Sequence, residues 1–302
     1  MSIKTGFGDK PGKPAIDIDL CDVCGLCAEI CCTETLIVVE GAIKIDPDTE
    51  FGCIGCGHCM MVCPTGAVTV TGRDVSPDDV LDLPGEALRA TPDQLEALLL
   101  SRRSVRRYDA REVEPEVIEK FIGMASTAPM GIPPSDVGIV VFQGREKVQS
   151  FALDIVKLYD QALKFLRSPI LLLMRLFIGR TAYESIRTLV IPVGRMLLKG
   201  RKTGRDWLFY DAPVALLFHQ SPYADPSDSI IASTYAMIAA ESLGLGSCMI
   251  GSVAPILARN KKLMGEYGVP AGNKPGMVLI LGYPAVKFQR SVRRRFASIR
   301  FS

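Results

Sequence analysis

No run of eighteen uncharged apolar residues occurs in the 302-residue chain, which argues against a simple membrane-spanning helix. The opening stretch, Met1 to Pro14, is polar and rich in Gly, Pro and Lys, and it lacks the apolar core of a secretory leader. The expected location is therefore the cytoplasm. Cysteine is almost missing from most of the chain, with only Cys248 beyond residue 63. A small scaffold stapled by disulfides is thereby excluded. A hydrophobic content of 48% against 23% charged residues also excludes a disordered tail protein and fits an ordinary globular chain. Its length leaves room for two domains or one large one.

The near-neutral net charge of +2 conceals two unlike halves. Residues 1–80 hold 5 Lys/Arg against 13 Asp/Glu, whereas residues 81–302 hold 30 against 20. Such asymmetry points to different partners for the two parts. The cysteines divide in the same way. Nine of the ten fall between Cys21 and Cys63, and in a chain without a leader such a cluster points to metal binding.

The cluster is ordered. Cys21-Asp-Val-Cys24-Gly-Leu-Cys27-Ala-Glu-Ile-Cys31 is followed by Cys53-Ile-Gly-Cys56-Gly-His-Cys59-Met-Met-Val-Cys63-Pro64. Both runs follow C-x2-C-x2-C-x3-C, the spacing of bacterial two-cluster ferredoxins. Three thiolates two residues apart wrap the corners of one cubane, and the fourth is sent to the neighbouring cluster. Cys21, Cys24, Cys27 and Cys63 would hold one [4Fe–4S] cluster, and Cys53, Cys56, Cys59 and Cys31 the other. Zinc is the competing reading of soft thiolates, but its sites use paired knuckles rather than triplets. Cys32 replaces the expected proline and is read as a small buried residue, while His58 is read as a polar neighbour that tunes a cluster or lies exposed. Leu36–Val39 and Ala42–Ile45, joined by Glu40-Gly41, read as a hairpin, and Ala67–Val70 as a further strand. Over about residues 12–72 the chain resembles a bacterial two-[4Fe–4S] ferredoxin. A domain of residues 1–75 is expected, then a linker at 76–90 without clear periodicity.

Thr91-Pro92-Asp93-Gln94 opens a helix, with Thr as cap, Pro in the first turn and Gln closing a capping box. It runs into Ser101-Arg102-Arg103-Ser104-Val105-Arg106-Arg107-Tyr108, where arginine forks and a serine could bind a phosphate. A solvated basic loop or a nucleic-acid patch is the alternative on composition alone. Three later stretches tip the balance. Val117–Ala125 is an amphipathic helix leading into Ala128-Pro129-Met130-Gly131-Ile132-Pro133-Pro134. An apolar helix over Ile230–Leu243 leads into Gly244-Leu245-Gly246-Ser247-Cys248-Met249-Ile250-Gly251. Val278–Pro284 is a late strand before Arg290, Arg293, Arg294 and Arg295.

With these four motifs in order, residues 91–302 resemble the nitroreductase family of FMN flavoproteins. The resemblance implies that Arg102 and Ser104 hold the FMN phosphate and ribityl chain, and that Arg106 meets the polar edge of the flavin. It implies that Pro129, Met130 and Gly131 line the flavin, that the backbone at Ile250 and Gly251 lies against N5, and that Arg290 and Arg294 contact phosphate. Met130 and Pro133 depart from the family's A-P-S-x-x-N segment, leaving a flavin hydrogen bond to Ser135 or to backbone groups. The implied assembly is a homodimer, with no role for nucleic acid.

The least expected segment is Lys157–Arg205, an insertion with 11 Lys/Arg and 2 Asp/Glu among apolar runs. It reads as basic amphipathic helices broken at Pro169, Gly179 and Pro192. A lid over the flavin or a dimer-packing pair is one reading, and peripheral attachment to the anionic inner membrane face is another. Val214–Phe218 reads as a buried strand ending at His219, a structural histidine or a proton donor. The expected fold class is α+β, a small ferredoxin-like domain followed by a nitroreductase-like flavin domain. The expected function is an electron relay from a low-potential donor, a ferredoxin-like protein or NAD(P)H, through two clusters to FMN. A small-molecule acceptor would follow, a nitroaromatic, quinone or activated alkene. The alternative is an electron-transfer or docking module with no organic substrate of its own.

Overall fold

The sequences Cys24-Gly25-Leu26-Cys27 and Cys56-Gly57-His58-Cys59 fold alike. The structure is a computed structural model that describes residues 11–73, 75–131, 136–166 and 168–301, with the backbone alone at 168–176. Chain contacts divide it into two units. The first comprises Met1–Arg89, Met130–Asp136 and Tyr223–Asp225, and the second holds Ala90–Pro129, Val137–Pro222 and Pro226–Ser302.

In the first unit, strand β1 (Lys13–Ile16) precedes helix α1 (Leu26–Glu29), hairpin strands β2 (Leu36–Val39) and β3 (Ala42–Ile45), helix α2 (His58–Val62) and strand β4 (Val68–Thr71). Gly25 and Gly57 cap the two helices at φ of 82° and 73°, a left-handed conformation that a β-carbon disfavours. Each turn delivers the third cysteine of its run onto a short helix. β1 pairs antiparallel with β4, and β2 with β3 through the Glu40-Gly41 turn. The core is small: Cys27, Leu36, Ile43 and Val68 are buried, with Cys21, Cys31, Cys59 and Cys63 packed around them. The cysteines are themselves much of that core. Over 76–90 the chain forms only single 3-10 turns at Pro77–Asp79 and Glu86–Leu88.

The second unit opens with α3 (Pro92–Ser101). The capping box is present: Thr91 Oγ1 accepts from the Gln94 N–H at 3.3 Å, and Gln94 Oε1 accepts from the Thr91 N–H at 2.9 Å. There follow α4 (Pro115–Ala125), β5 (Val137–Gln143), α5 (Arg145–Phe165), α6 (Ser168–Ser185), a π-helical turn at Ile186–Val190 and α7 (Ile191–Lys202). The unit closes with β6 (Val214–Gln220), α8 (Asp228–Ser242), β7 (Gly246–Met249), α9 (Ala254–Leu257), α10 (Lys261–Glu266) and β8 (Lys274–Gly282). Four strands form one antiparallel sheet in the order β5-β6-β8-β7. Every residue of β6 is buried, because side chains alternate between two covered faces. Val214, Leu216 and Phe218 meet residues of α4 and α8, while Ala215 and Leu217 meet those of α5, α7 and α9. The result is an α+β three-layer arrangement with helices on both sides of the sheet.

Of the expected breaks, Gly179 leaves the helical region at φ 75° inside α6. At Pro192 the chain does not break: Val190 and Ile191 stay helical as the π-helical turn passes into α7, whose first turn accepts the proline because its missing N–H costs little there. Pro169 lies at the start of α6. Among the described residues no helix is long and apolar enough to cross a membrane.

At the end of β6, His219 is buried opposite Gly138, where a β-carbon would overlap the imidazole. Its Nδ1 accepts from the Asn273 side-chain amide at 3.0 Å, so it is hydrogen-bonded inside the fold. Burial pushes its pKa below the ordinary 6.5. A depressed histidine is charged more readily in the unfolded chain, so its contribution is present above pH 6.5 and lost as pH falls below it. His219→Gln should therefore flatten the acid-side decline of stability relative to wild type. Urea melts at several pH values below 6.5 test this, and identical slopes in the two proteins would contradict it.

Candidate functional site

The arginine-rich segment is held by main-chain bonds on both flanks. The Val105 N–H donates to the Ser247 carbonyl at 2.9 Å, and Ser104 forms a parallel bridge with Ser247 in β7. Beyond it, the Asp109 N–H donates to Tyr283 and the Ala285 N–H donates to Arg107, both at 2.9 Å. The Tyr108 hydroxyl closes the loop by donating to the Val105 carbonyl at 2.8 Å. Close approach to β7 needs Gly246, since a β-carbon there would stand 2.6–2.9 Å from the Val105 side chain.

This clamp gathers several side chains. Arg102 donates to the Met237 sulfur of α8 at 3.6 Å, and the Arg106 guanidinium lies 5.8 Å from the Tyr210 ring centre. Arg103 donates to Ser291 and to the Arg102 carbonyl. Burial pushes the Cys248 thiol up, while Arg106, Ser104 and Arg102 pull against it. The Ser247 Oγ is buried without a hydrogen-bond partner beside the bridge to Ser104. An orphaned hydroxyl next to a serine and two arginines suits an oxygen-rich, anionic ligand.

A cavity of about 510 Å³ opens here, and Arg106, Cys248, Ile250 and Gly251 all line it. Its far wall comes from the insertion. The Tyr159 hydroxyl of α5 donates to the Ser252 carbonyl at 2.9 Å and so fixes the loop after β7. Arg290 lines a separate cavity of about 400 Å³ with Arg103 and Ser291. Arg294 is exposed and lines none of these spaces. Pro129 and Gly131 are exposed and Met130 is half-buried. Chain contacts group Met130 and Gly131 with the first unit, and Pro129 and Arg106 with the second. Pro133 and Ser135 lie outside the described residues.

In the first unit the thiols fall into two sets. Cys31, Cys53, Cys56 and Cys59 line one small cavity, with Cys32 at its edge. Burial, then the nearby Cys53, Cys56 and Cys31, pushes the Cys59 thiol up to about 12. Burial likewise raises Cys27, with Cys63 and Cys21 adding to it. The fourth cysteines behave differently. Burial acts to raise Cys31, but the Leu36 main chain and the Thr33 hydroxyl outweigh it. Cys63 is lowered in the same way, with Thr65 and the Val68 main chain overcoming burial. Thr33 and Thr65 each stand 3.6 Å from the cysteine two positions earlier. That repeated Cys-x-Thr was visible in the sequence and carried no expectation. Cys32 corrects one: it is exposed rather than buried, at the edge of the cavity that Cys31 lines. His58 is exposed at the start of α2.

Among the described residues no three His, Cys, Asp or Glu side chains converge closely enough for a single metal ion. A cubane of four irons and four sulfides holds its thiolates further apart than one ion does, so both sets suit a cluster in their donors.

Cationic loop, glycine-bearing strand and antiparallel sheet together define a flavoprotein-type oxidoreductase fold. The model of the nitroreductase family matches residues 99–283, more than half of the chain, and the chain belongs to that family. The model of the 4Fe–4S binding domain matches residues 51–69, the second cysteine run. A protein of Methanothermobacter thermautotrophicus, whose name pairs NADH dehydrogenase with NAD(P)H nitroreductase, is 27% identical over 199 residues, 64% of this chain and 78% of its own. The indolepyruvate oxidoreductase subunit IorA of the same organism is 35% identical over 63 residues, 20% of this chain and 10% of its own. Two nitroreductases solved with bound FMN share the fold. That of Bacteroides fragilis has a TM-score of 0.50 at 18% identity, covering 69% of this chain and 98% of its own. That of Desulfitobacterium hafniense has a TM-score of 0.51 at 17% identity, covering 69% and 97%.

The Gly246 contact yields a prediction. Gly246→Ala should displace Val105 and with it Ser104 and Arg106, at a cost of about 1–3 kcal/mol for overpacking. Chemical denaturation measures this, and a variant as stable as wild type would show that Val105 yields freely.

Proposed function

We propose that the chain is an iron–sulfur flavoprotein oxidoreductase that passes electrons from a low-potential donor through two [4Fe–4S] clusters to FMN and on to an organic acceptor. The observation that carries this reading is that Cys31, Cys53, Cys56 and Cys59 line one small cavity while Cys21, Cys27 and Cys63 interact as a second group, in a chain whose second unit holds a cationic cavity. Clusters transfer single electrons, whereas FMN exchanges one or two, so their union in one chain couples single-electron supply to two-electron reduction.

The chain's own residues have defined parts in this reading. Cys21, Cys24, Cys27 and Cys63 hold one cluster, and Cys31, Cys53, Cys56 and Cys59 the other. Arg102 and Ser104 bind the flavin phosphate and ribityl chain. Arg106 places positive charge at the polar edge of the ring, favouring its reduced anionic form. Ile250 and Gly251 offer backbone without bulk beside it. The acceptor is a nitroaromatic, quinone or activated alkene, and the donor is a ferredoxin-like protein or NAD(P)H.

A homodimer is part of the same proposal. Its support is the run of exposed apolar side chains in the C-terminal tail, Val286, Phe288, Val292, Phe296 and Ile299. Such a tail is suited to cover a second copy.

Two experiments test the cofactors. Anaerobically purified protein should hold about eight irons per chain with matching acid-labile sulfide. Cys56→Ala should remove one cluster and Cys32→Ala neither, by iron content and electron paramagnetic resonance; zinc without sulfide would refute the cluster assignment. For the flavin, Arg102→Ala with Ser104→Ala should release FMN, since each lost bond to a charged group contributes about 1.5–3 kcal/mol. Absorbance of the desalted protein gives the answer, and full flavin retention would mean that the phosphate lies elsewhere.

A further inference from the structure

Two cavities of the second unit share a wall. The apolar one, about 510 Å³, is lined on the insertion side by Leu189, Val193 and Met196. Leu189 is 62% exposed and Met196 41%, so apolar side chains face water inside a concave space. That volume falls within the usual range of about 300–1,000 Å³ for ligand pockets. The neighbouring cleft, about 600 Å³, is lined by Arg106, Arg107, Arg145 and Arg205, with Asp206 and Asp211. Arg106, Trp207 and Tyr210 line both spaces.

The charges in the cleft are unequally committed. Asp206 accepts from the main-chain N–H groups of Leu208 and Phe209 at 2.8 and 2.9 Å. Arg145 donates to the Asp211 carbonyl at 2.6 Å and pairs with Glu112 at 3.2 Å. Arg107 and Arg205 are exposed and make no side-chain hydrogen bond or ion pair among the described residues. Arg106 donates to the Ser104 carbonyl at 3.4 Å and stands over the Tyr210 ring, and the flavin reading already engages it. Arg107 and Arg205 thus remain for a further ligand, against the Asp211 carboxylate. Guanidinium forks match phosphate oxygens in geometry as well as charge.

We propose that the joined cavities bind one anionic amphiphile, an apolar body carrying a phosphate-type head. The body lies among Leu189, Val193 and Met196, and the head meets Arg107 and Arg205. This adds an apolar body and a phosphate-type head to the acceptor of the oxidoreductase, whose reducible group is the nitroaromatic, quinone or alkene already proposed; the catalytic role rests on that reading, whereas the binding itself does not.

Trp207 is the sole tryptophan of the chain and lines both spaces, so its emission reports their filling. Decyl phosphate, titrated into the flavin-loaded full chain below the concentration at which it aggregates, should shift that emission and saturate at one molecule per chain. Decanol and decyltrimethylammonium should bind about tenfold more weakly or worse. Arg107→Gln with Arg205→Gln should weaken decyl phosphate by about tenfold and leave decanol unaltered. Leu189→Asn, at an exposed position that folding tolerates, should weaken both. Equal affinity for the three probes, or indifference to the arginine pair, would overturn the proposal. So would release of FMN by the probe, which would make the space the flavin's own. Binding to anionic vesicles alone, with none to the monomeric probe, would assign the basic segment to a membrane surface and overturn it too. Because Trp207 reports occupancy in flavin-free protein as well, failure here is separable from failure of the flavin assignment.

Discussion

The 2.9 Å bond from the Val105 N–H to the Ser247 carbonyl fixes the position of almost everything chemical in the second unit. Four arginines within six residues repel one another, and a free loop would spread them into solvent. Here the backbone is bound to β7 on one side and to the chain after β8 on the other, with Val105 buried and Arg106 turned outward. The alternation of an extended segment thus sorts apolar anchor from charged working group. Gly246 is the permissive partner, because only the missing side chain allows the two backbones to meet. The two motifs, some 140 residues apart in the chain, are therefore one structural object.

The first unit answers to a different constraint. Its buried apolar residues are few, and half-buried thiols fill the space around them. Thiols pushed upward by burial, Cys59 to about 12, ionise there only if a cation compensates them. Cluster irons would supply that charge, so in this unit ligand binding and folding form one equilibrium. The Cys-x-Thr pairs show a second level of order, since the fourth cysteine of each run is lowered while the buried Cys27, Cys53 and Cys59 are raised.

What the sequence made legible was local. The cysteine spacing, the Glu40-Gly41 hairpin, the Thr91 capping box and the break at Gly179 each depend on a few adjacent residues. β7 was not legible as a strand: Gly246-Ser247-Cys248-Met249 has no alternating apolar pattern and becomes a strand by pairing with β8. β1 is as short and is ordered by β4, which starts 52 residues after β1 ends. The cavities were beyond reach for the same reason, because their walls collect residues from Arg106 to Arg259. Met130 and Gly131 show the limit of motif order: a motif gives the sequence of parts along the chain, while contacts decide which part each joins.

The insertion draws these strands together. α7 has one face of Gly194, Leu197 and Gly200, all buried, and an opposite face with Arg195, Lys199, Arg201 and Lys202 exposed. A β-carbon on Gly194 would press within 3.0 Å of Tyr159 and Leu163 of α5, and one on Gly200 would collide with Trp207. Helices that meet through glycine approach closely, which leaves little freedom for α7 to swing away as a separate arm. Tyr159 meanwhile ties α5 to the loop after β7 through Ser252. The same contacts that hold the insertion therefore hold the wall of the apolar cavity, and they force the cationic side chains outward. A wall and a basic surface are not rival uses of this segment: they are the two faces that one amphipathic helix must have when its inner face is occupied.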